Sequence, residues 1–397
     1  MLEQKKITLA YNSNNYFSSV FKLGILGGGQ LGKMLLYETR KFDIHTKILE
    51  ASNEAPCRIA CDEFVLGNLM DFDAVYNFGK QVDVLTIEIE NVNLDALEKL
   101  EDEGIKVYPP TKALRTIQNK ATQKHFYTDN GIPTAEFSRF AYASEIEDSI
   151  ENGGLEFPFV WKAAQFGYDG QGVKVVRSMA DVKGLPSGEC IAEKMIPFKN
   201  ELAVIVVRNP SGQVVTYPVV EMEFHPEANQ VEYVICPARI DRIVTQKAIE
   251  IALKVSEKIG HIGILAVEMF QTQEDEILVN EVAPRPHNSG HYSIEASYTN
   301  QFEQHIRAIL DLPLGRTESK VAGIMVNLVG AEGHTGDVVY ENIAEIMAMD
   351  GVTPHIYGKK QTRPFRKMGH VTIVNEDIDE ARKIAQEVKE KIKVISK

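Results

Sequence analysis

Two glutamates, Glu268 in LAVEMF and Glu281 in LVNEVAPRPHNSGH, each interrupt an apolar, strand-like run. The connecting TQEDE has hairpin-turn composition, so the two carboxylates are expected side by side across an antiparallel pair. Like charges placed together on apolar strands need a counter-charge, and such an oxygen-rich site suits magnesium carried with nucleotide phosphates. Asn280 alternates to the opposite face in a regular strand, although a strand end or twist could turn its amide in. Directly after Glu281, Arg285, His287, Asn288, Ser289 and His291 crowd into seven residues, as in an active-site loop.

A second constellation lies upstream. Lys162 in FPFVWKAA is flanked by apolar residues on a strand, where an ammonium is costly without an anionic partner. Gly167, Tyr168, Asp169, Gly170, Gln171 and Gly172 then form a glycine-rich loop able to fold backbone amides over phosphate oxygens. The pattern is not GxxxxGK[ST], so this is no Walker loop. Nearer the N-terminus, FKLGILGGGQLGKML carries Gly27-x-Gly29-x-x-Gly32 after an apolar run, and Glu50 ends a second strand-like run. Glycines and acid together are the fingerprint of a dinucleotide site. An NAD-dependent dehydrogenase would rest on that turn alone and leave Glu268, Glu281 and the HNSGH segment without a role.

The elements that must position these groups fall into three units. From residue 22 to about 120, strand-like and helix-like runs alternate, which implies a parallel sheet with covering helices. TKALRTIQNKATQKHFYTDN then reads as one polar helix ending at Gly131, with Pro133 beyond it as a stop. A strand-rich middle follows, with VVTYPVVEMEF as one strand and TQKAIEIALKVSEKIG as a long amphipathic helix. The last part, from about 316, holds AGIMVNLVG, HIYGKK, HVTIVN and the helix DEARKIAQEVKEKI. The divisions expected are a polar extension 1–21, an α/β domain 22–120, a lid 121–197, a catalytic subdomain 198–315 and a C-terminal domain 316–397.

Composition narrows the function classes. The 397 residues carry a net charge of -13, which argues against a general nucleic-acid or membrane surface. An anionic substrate must therefore meet locally placed cations. YGKKQTRPFRKMGH supplies Lys359, Lys360, Arg363, Arg366 and Lys367 within nine residues. No apolar run approaches a membrane span, and the N-terminus lacks the apolar core of a signal peptide. Cys57, Cys61, Cys190 and Cys236 have no zinc-site spacing and read as thiols in a reducing cytoplasm.

In that order and spacing, GGGQLGKM, TIEIENV, QNKATQK, GYDGQG, NEVAPRPHNSGH and RPFRKMGH resemble the N5-carboxyaminoimidazole ribonucleotide synthases of purine biosynthesis, over roughly residues 22 to 385. The resemblance implies an α/β and α+β chain with a three-domain ATP-grasp fold, an N-terminal Rossmann-like parallel sheet, and a cytoplasmic homodimer. It implies ATP-dependent carboxylation of 5-aminoimidazole ribonucleotide by bicarbonate through carboxyphosphate, with Mg2+ as cofactor. The product would pass to the mutase of the next step.

By the same resemblance, Lys120, Lys162 and Gly167 to Val173 meet the ATP phosphates. Glu193, Lys194, Met195 and Ile196 read adenine, Glu201 accepts from the ribose, and His225 and Asn280 also lie at the nucleotide. Glu268 and Glu281 hold magnesium, and Arg285 stabilises the transferring phosphoryl group and carboxyphosphate. Gln30, Leu31, Glu88, Glu90, His287, Asn288, Ser289, Lys359 and Arg366 form the ribonucleotide side. Lys120 stands where arginine is frequent and Gln171 where arginine or lysine is common, so the fork of an arginine is missing at both. A formate-dependent glycinamide ribonucleotide transformylase would share the acyl-phosphate logic but not the HNSGH segment.

Overall fold

Apolar runs bounded by glycine, proline and caps become the strands and helices of a computed structural model that describes residues 16–165, 172–225 and 230–397. Phe166 to Gln171, which include five positions of the expected phosphate loop, lie outside the described residues. The first sheet has five parallel strands in the order Glu63–Leu66, His45–Glu50, Lys22–Leu26, Val84–Ile87, Lys106–Tyr108. Buried strands of this kind read as near-continuous apolar runs because helices cover both faces. The expected polar extension does not reach residue 21: Tyr16 and Phe21 are buried in this core, their rings 5.1 Å apart edge to face.

The single helix expected over TKALRTIQNKATQKHFYTDN is two, Thr111–Gln118 and Lys120–Asp129. Asn119 breaks it. Its backbone is extended and its side chain accepts from the Thr122 N–H at 2.9 Å, so it caps the second helix instead of continuing the first. The break places Lys120 at the first position of the new helix, with its N–H donating to the Ala164 carbonyl at 2.8 Å. Ala113, Ile117 and Tyr127 of these helices share a core with Val204, Leu265 and Val279. Similarly, VVTYPVVEMEF forms two strands, Val214–Thr216 and Val220–Phe224, because Pro218 between them has no N–H to give a ladder.

A small antiparallel sheet orders Phe137–Phe140, Cys190–Lys194, Phe159–Ala163, Val173–Val176. A nine-stranded sheet starts with Ile277–Ala283, Gly263–Thr272 and Phe198–Arg208, and runs on through Val220–Phe224 and Val231–Cys236. It continues without interruption into Ala322–Val329, Lys367–Asn375 and Val352–Ile356. Residues 316–397 thus extend the preceding sheet, although helix Ile378–Lys391 covers their part with a core of its own. Helix Arg242–Ile259 closes the other end, burying Val244, Ala248, Ala252 and Val255. No helix among the described residues is long and apolar enough to cross a membrane.

Candidate active site

The hairpin between Gly263–Thr272 and Ile277–Ala283 sets Glu268 directly opposite Glu281. One step further the register slips, and Met269 pairs with Val279. Asn280 is the residue left over, a bulge that turns its carboxamide to the carboxylate side. There its Oδ1 accepts from Lys162 Nζ at 2.8 Å. The alternation expected for a regular strand fails at this position, and the failure brings Asn280 into the site.

Each carboxylate has a polar partner. Glu281 is paired with Lys120, and Glu268 Oε1 lies 3.1 Å from His287 Nε2. The neighbouring Lys120 ammonium holds the Glu281 carboxyl at about 2 against the upward push of burial, with Lys162 adding to it. Arg285 Nε lies 2.9 Å from Glu90 Oε1, joining the active-site loop to the N-terminal unit. Lys162 reaches across the small sheet to Glu193, 2.9 Å away, and Lys124 meets the other oxygen at 3.1 Å. Burial opposes ionisation of Glu193, yet the two ammonium groups prevail and its pKa is lowered. Burial pushes Lys124 down to about 8 against the pull of the same carboxylate. Lys124 carried no recognisable signal in the sequence beyond a charge on a helix face. Breaking such a buried pair from one side costs about 3 to 5 kcal/mol.

Two carboxylates and a carboxamide oxygen from adjacent strands fit magnesium, which takes one or two protein carboxylates and completes its shell with substrate phosphates. Among the described residues no three His, Cys, Asp or Glu converge as a self-sufficient metal cage.

Glu201 pairs with Met222 on one side and Phe270 on the other. Burial first, then the nearby Glu268 and Glu281, push its carboxyl up to about 8. Its ordinary value is 4.5, so between the two values the folded protein binds more protons than the unfolded chain. The stability of the ligand-free protein therefore falls as pH rises across that window and levels off above it. Glu201→Gln is expected to flatten this slope in urea unfolding at a series of pH values; an unchanged slope would place the titrating group elsewhere. Lys194 and Met195 are exposed at the end of the same small sheet, and Ile196 is partly so. His225 lies beside the Phe365 ring of the C-terminal basic segment, 6.1 Å between centroids.

The glycine turn has a different occupant from the one expected. Glu88 accepts the N–H of Gly29 at 2.8 Å and of Gly32 at 2.9 Å, and Glu50 accepts that of Gly28 at 2.8 Å. The helix N-terminus that suggested an anionic ligand is thus filled by the protein's own carboxylates. Glu88, expected at the ribonucleotide, is buried here with its pKa raised by desolvation. The glycines make room for it, since a Cβ at Gly27 or Gly29 would lie 2.6 Å from Glu88 Cγ or 2.9 Å from Oε1. A dinucleotide pyrophosphate has no place in that turn, and Gln30 and Leu31 begin the helix beyond it.

The C-terminal basic segment folds back on this helix. Lys33 Nζ donates to the Ile356 carbonyl at 2.9 Å, and Lys360 meets Glu54 at 2.6 Å. Lys359 donates to the Lys367 carbonyl at 2.7 Å and Arg366 to that of Gln361 at 2.6 Å. His291, grouped with the active-site loop by its position in the sequence, is fully packed. Its ring lies 4.7 Å from that of His370, and His370 lies 4.4 Å from His355, which meets Glu295 at 2.8 Å.

A lid-like small sheet carrying Lys162, facing a larger antiparallel sheet that carries the paired carboxylates, defines an ATP-grasp protein. Residues 125–302 match the ATP-grasp domain, residues 20–118 the ribonucleotide synthetase preATP-grasp domain, and residues 323–384 the phosphoribosylaminoimidazole carboxylase C-terminal domain. The N5-carboxyaminoimidazole ribonucleotide synthase of Bacillus subtilis is 37% identical over 364 residues, covering 90% of this chain and 92% of its own. The crystal structure of the Thermotoga maritima synthetase aligns with a TM-score of 0.87 at 41% identity, over 95% of this chain and all of that one. The Aspergillus clavatus synthase in complex with ADP and 5-aminoimidazole ribonucleotide aligns with a TM-score of 0.84 at 35% identity, over 93% and 98%. The chain belongs to the N5-carboxyaminoimidazole ribonucleotide synthase family.

Proposed function

We propose that the protein carboxylates 5-aminoimidazole ribonucleotide with bicarbonate and ATP, yielding N5-carboxyaminoimidazole ribonucleotide, ADP and phosphate. The observation that carries this reading is the bulged hairpin that collects Glu268, Glu281 and Asn280 beside Lys120 and Lys162. It sits on a chain that aligns over 93% of its length with a synthase solved in complex with ADP and 5-aminoimidazole ribonucleotide.

Lys120, Lys162 and the 167–173 loop hold the ATP phosphates, residues 193–196 take adenine, and Glu201 takes the ribose, with His225 beside the nucleotide. Glu268 and Glu281, with Asn280, would hold magnesium, which when bound neutralises phosphate charge. A bicarbonate oxygen attacks the γ-phosphorus, ADP departs, and carboxyphosphate is left facing Arg285. Arg285 stabilises the charge that develops there. The ribonucleotide amine then takes the carboxyl carbon, from carboxyphosphate itself or from the CO2 it releases, and phosphate leaves. His287, Asn288 and Ser289 line that step, with Gln30, Leu31 and Glu90 on the ribonucleotide side. The protein works as a cytoplasmic homodimer that passes its product to the following mutase.

Lys359 and Arg366 hold the ribonucleotide phosphate. Lys359→Ala is expected to weaken the ribonucleotide by about 1.5 to 3 kcal/mol, the range for a charge-assisted hydrogen bond. That is roughly ten-fold or more in its KM, with ATP affinity nearly unchanged. Equal loss for both substrates would move the phosphate site elsewhere.

The reaction is tested by coupled ADP release. ADP should form only with magnesium, the ribonucleotide and bicarbonate together, and formate should not replace bicarbonate. Efficient formyl transfer to glycinamide ribonucleotide would overturn the assignment.

A further inference from the structure

Gln301 is fully buried in the first turn of helix Gln301–Ile309, and no step above uses it. Its Oε1 accepts the backbone N–H of His287 at 2.8 Å, and its Nε2 donates to the carbonyl of the same residue at 2.8 Å. A backbone N–H only donates and a carbonyl only accepts, so these partners fix which end of the carboxamide is oxygen. Nε2 also lies 2.9 Å from His291 Nδ1, which therefore accepts and leaves its ring proton on the other nitrogen. One side chain thus holds both main-chain groups of His287, in a segment that has already left the strand ending at Ala283.

The clamp is itself anchored. The Gln301 N–H donates to Ser293 Oγ at 3.0 Å, while Asn300 caps the helix and donates to Glu38 Oε1 at 2.7 Å. Gly290 is what lets the carboxamide approach: a Cβ there would lie 2.5 Å from Gln301 Oε1. Downstream of the clamp, the His287 side chain is aimed by Ser289 at 2.9 Å on Nδ1 and meets Glu268 through Nε2.

We infer that Gln301 is a positioning residue for the carboxylation, setting the main chain of the HNSGH segment so that His287, Asn288 and Ser289 face the reacting acyl phosphate. The inference rests on the proposed reaction for its kinetic consequence and on the geometry alone for its structural one. A reacting group displaced by about 1 Å loses on the order of 100-fold in rate. A glutamine that served only to satisfy a buried loop would act on stability and leave the chemistry of the folded protein intact.

Two near-isosteric variants of the full chain separate these cases. Gln301→Met removes both bonds to His287. Gln301→Glu keeps the acceptor for the N–H and regains a donor only when protonated. With Gln301→Met, kcat is expected to fall about ten-fold or more while the KM for ATP and the Kd for ADP stay within about two-fold. With Gln301→Glu, turnover relative to the parent should climb as pH falls from about 8 to about 6, whereas the methionine ratio stays flat. The titratable groups around the site are His287 and His291 on the loop, His370 and His355 behind them, and Glu268 beyond His287. The parent, measured at each pH, carries all of them.

Hydrogen exchange of peptides spanning residues 284–292 gives a readout independent of the reaction, and it should accelerate in Gln301→Met. Parent-like turnover in Gln301→Met, proportional loss of turnover and ADP affinity, or unchanged exchange in that segment would each overturn the inference. If the methionine variant does not accumulate, the pH ratio of the glutamate variant decides: recovery at low pH supports the clamp and its absence overturns it. A parent protein that releases no ADP in response to the ribonucleotide would instead refute the proposed reaction, and the exchange experiment would still test the clamp.

Discussion

Glu281→Gln is expected to lower ribonucleotide-dependent turnover by about 100-fold or more while the chain remains folded. The substitution keeps the shape of the side chain and removes its charge, at the position facing Glu268 across the hairpin and next to the bulged Asn280. Lys120 keeps this carboxyl ionised down to about pH 2, so the loss should be the same across the working pH range. Lys120 also loses its counter-ion, and some stability with it, so ADP binding and the urea midpoint serve as controls for folding. An unaltered rate at saturating magnesium would show that the metal lies elsewhere.

Arg285→Ala is expected to act on turnover more than on nucleotide binding. The guanidinium stands just beyond the end of the carboxylate strand, 2.9 Å from Glu90, and in the proposed reaction its charge acts mainly as negative charge develops during transfer. Removing a group of that kind lowers kcat by about 100- to 1,000-fold, with a small change in the KM for ATP. If only that KM moved, the guanidinium would belong to the ATP site and not to the acyl phosphate.

What could be read in the sequence depended on whether the signal was periodic or local. The Glu268 and Glu281 pair was legible because alternation and a hairpin turn together specify which residues face each other. The place of Asn280 was not, since a bulge is a one-residue exception to the alternation that reveals strands. Asn119 was hidden in the same way: a cap inside a helical pattern looks like one more polar residue. The glycine turn was misleading because GxGxxG records only that something must approach the backbone closely, and here that something is Glu88. Gln301 gave no signal at all. Its work is done through two main-chain bonds to a residue 14 positions away in sequence, and no residue type or spacing announces such a contact. The N-terminal parallel sheet, by contrast, followed directly from alternating strand and helix runs.

In the proposed reaction, bicarbonate is activated by phosphoryl transfer from ATP before it meets the amine. Turnover with 18O-labelled bicarbonate tests it most directly, with the released phosphate analysed by mass spectrometry. One labelled oxygen is expected in each phosphate, because the bicarbonate oxygen that attacks the γ-phosphorus stays with phosphorus when the carboxyl group is transferred. Unlabelled phosphate, formed while the carboxylated product accumulates in equal amount, would contradict it.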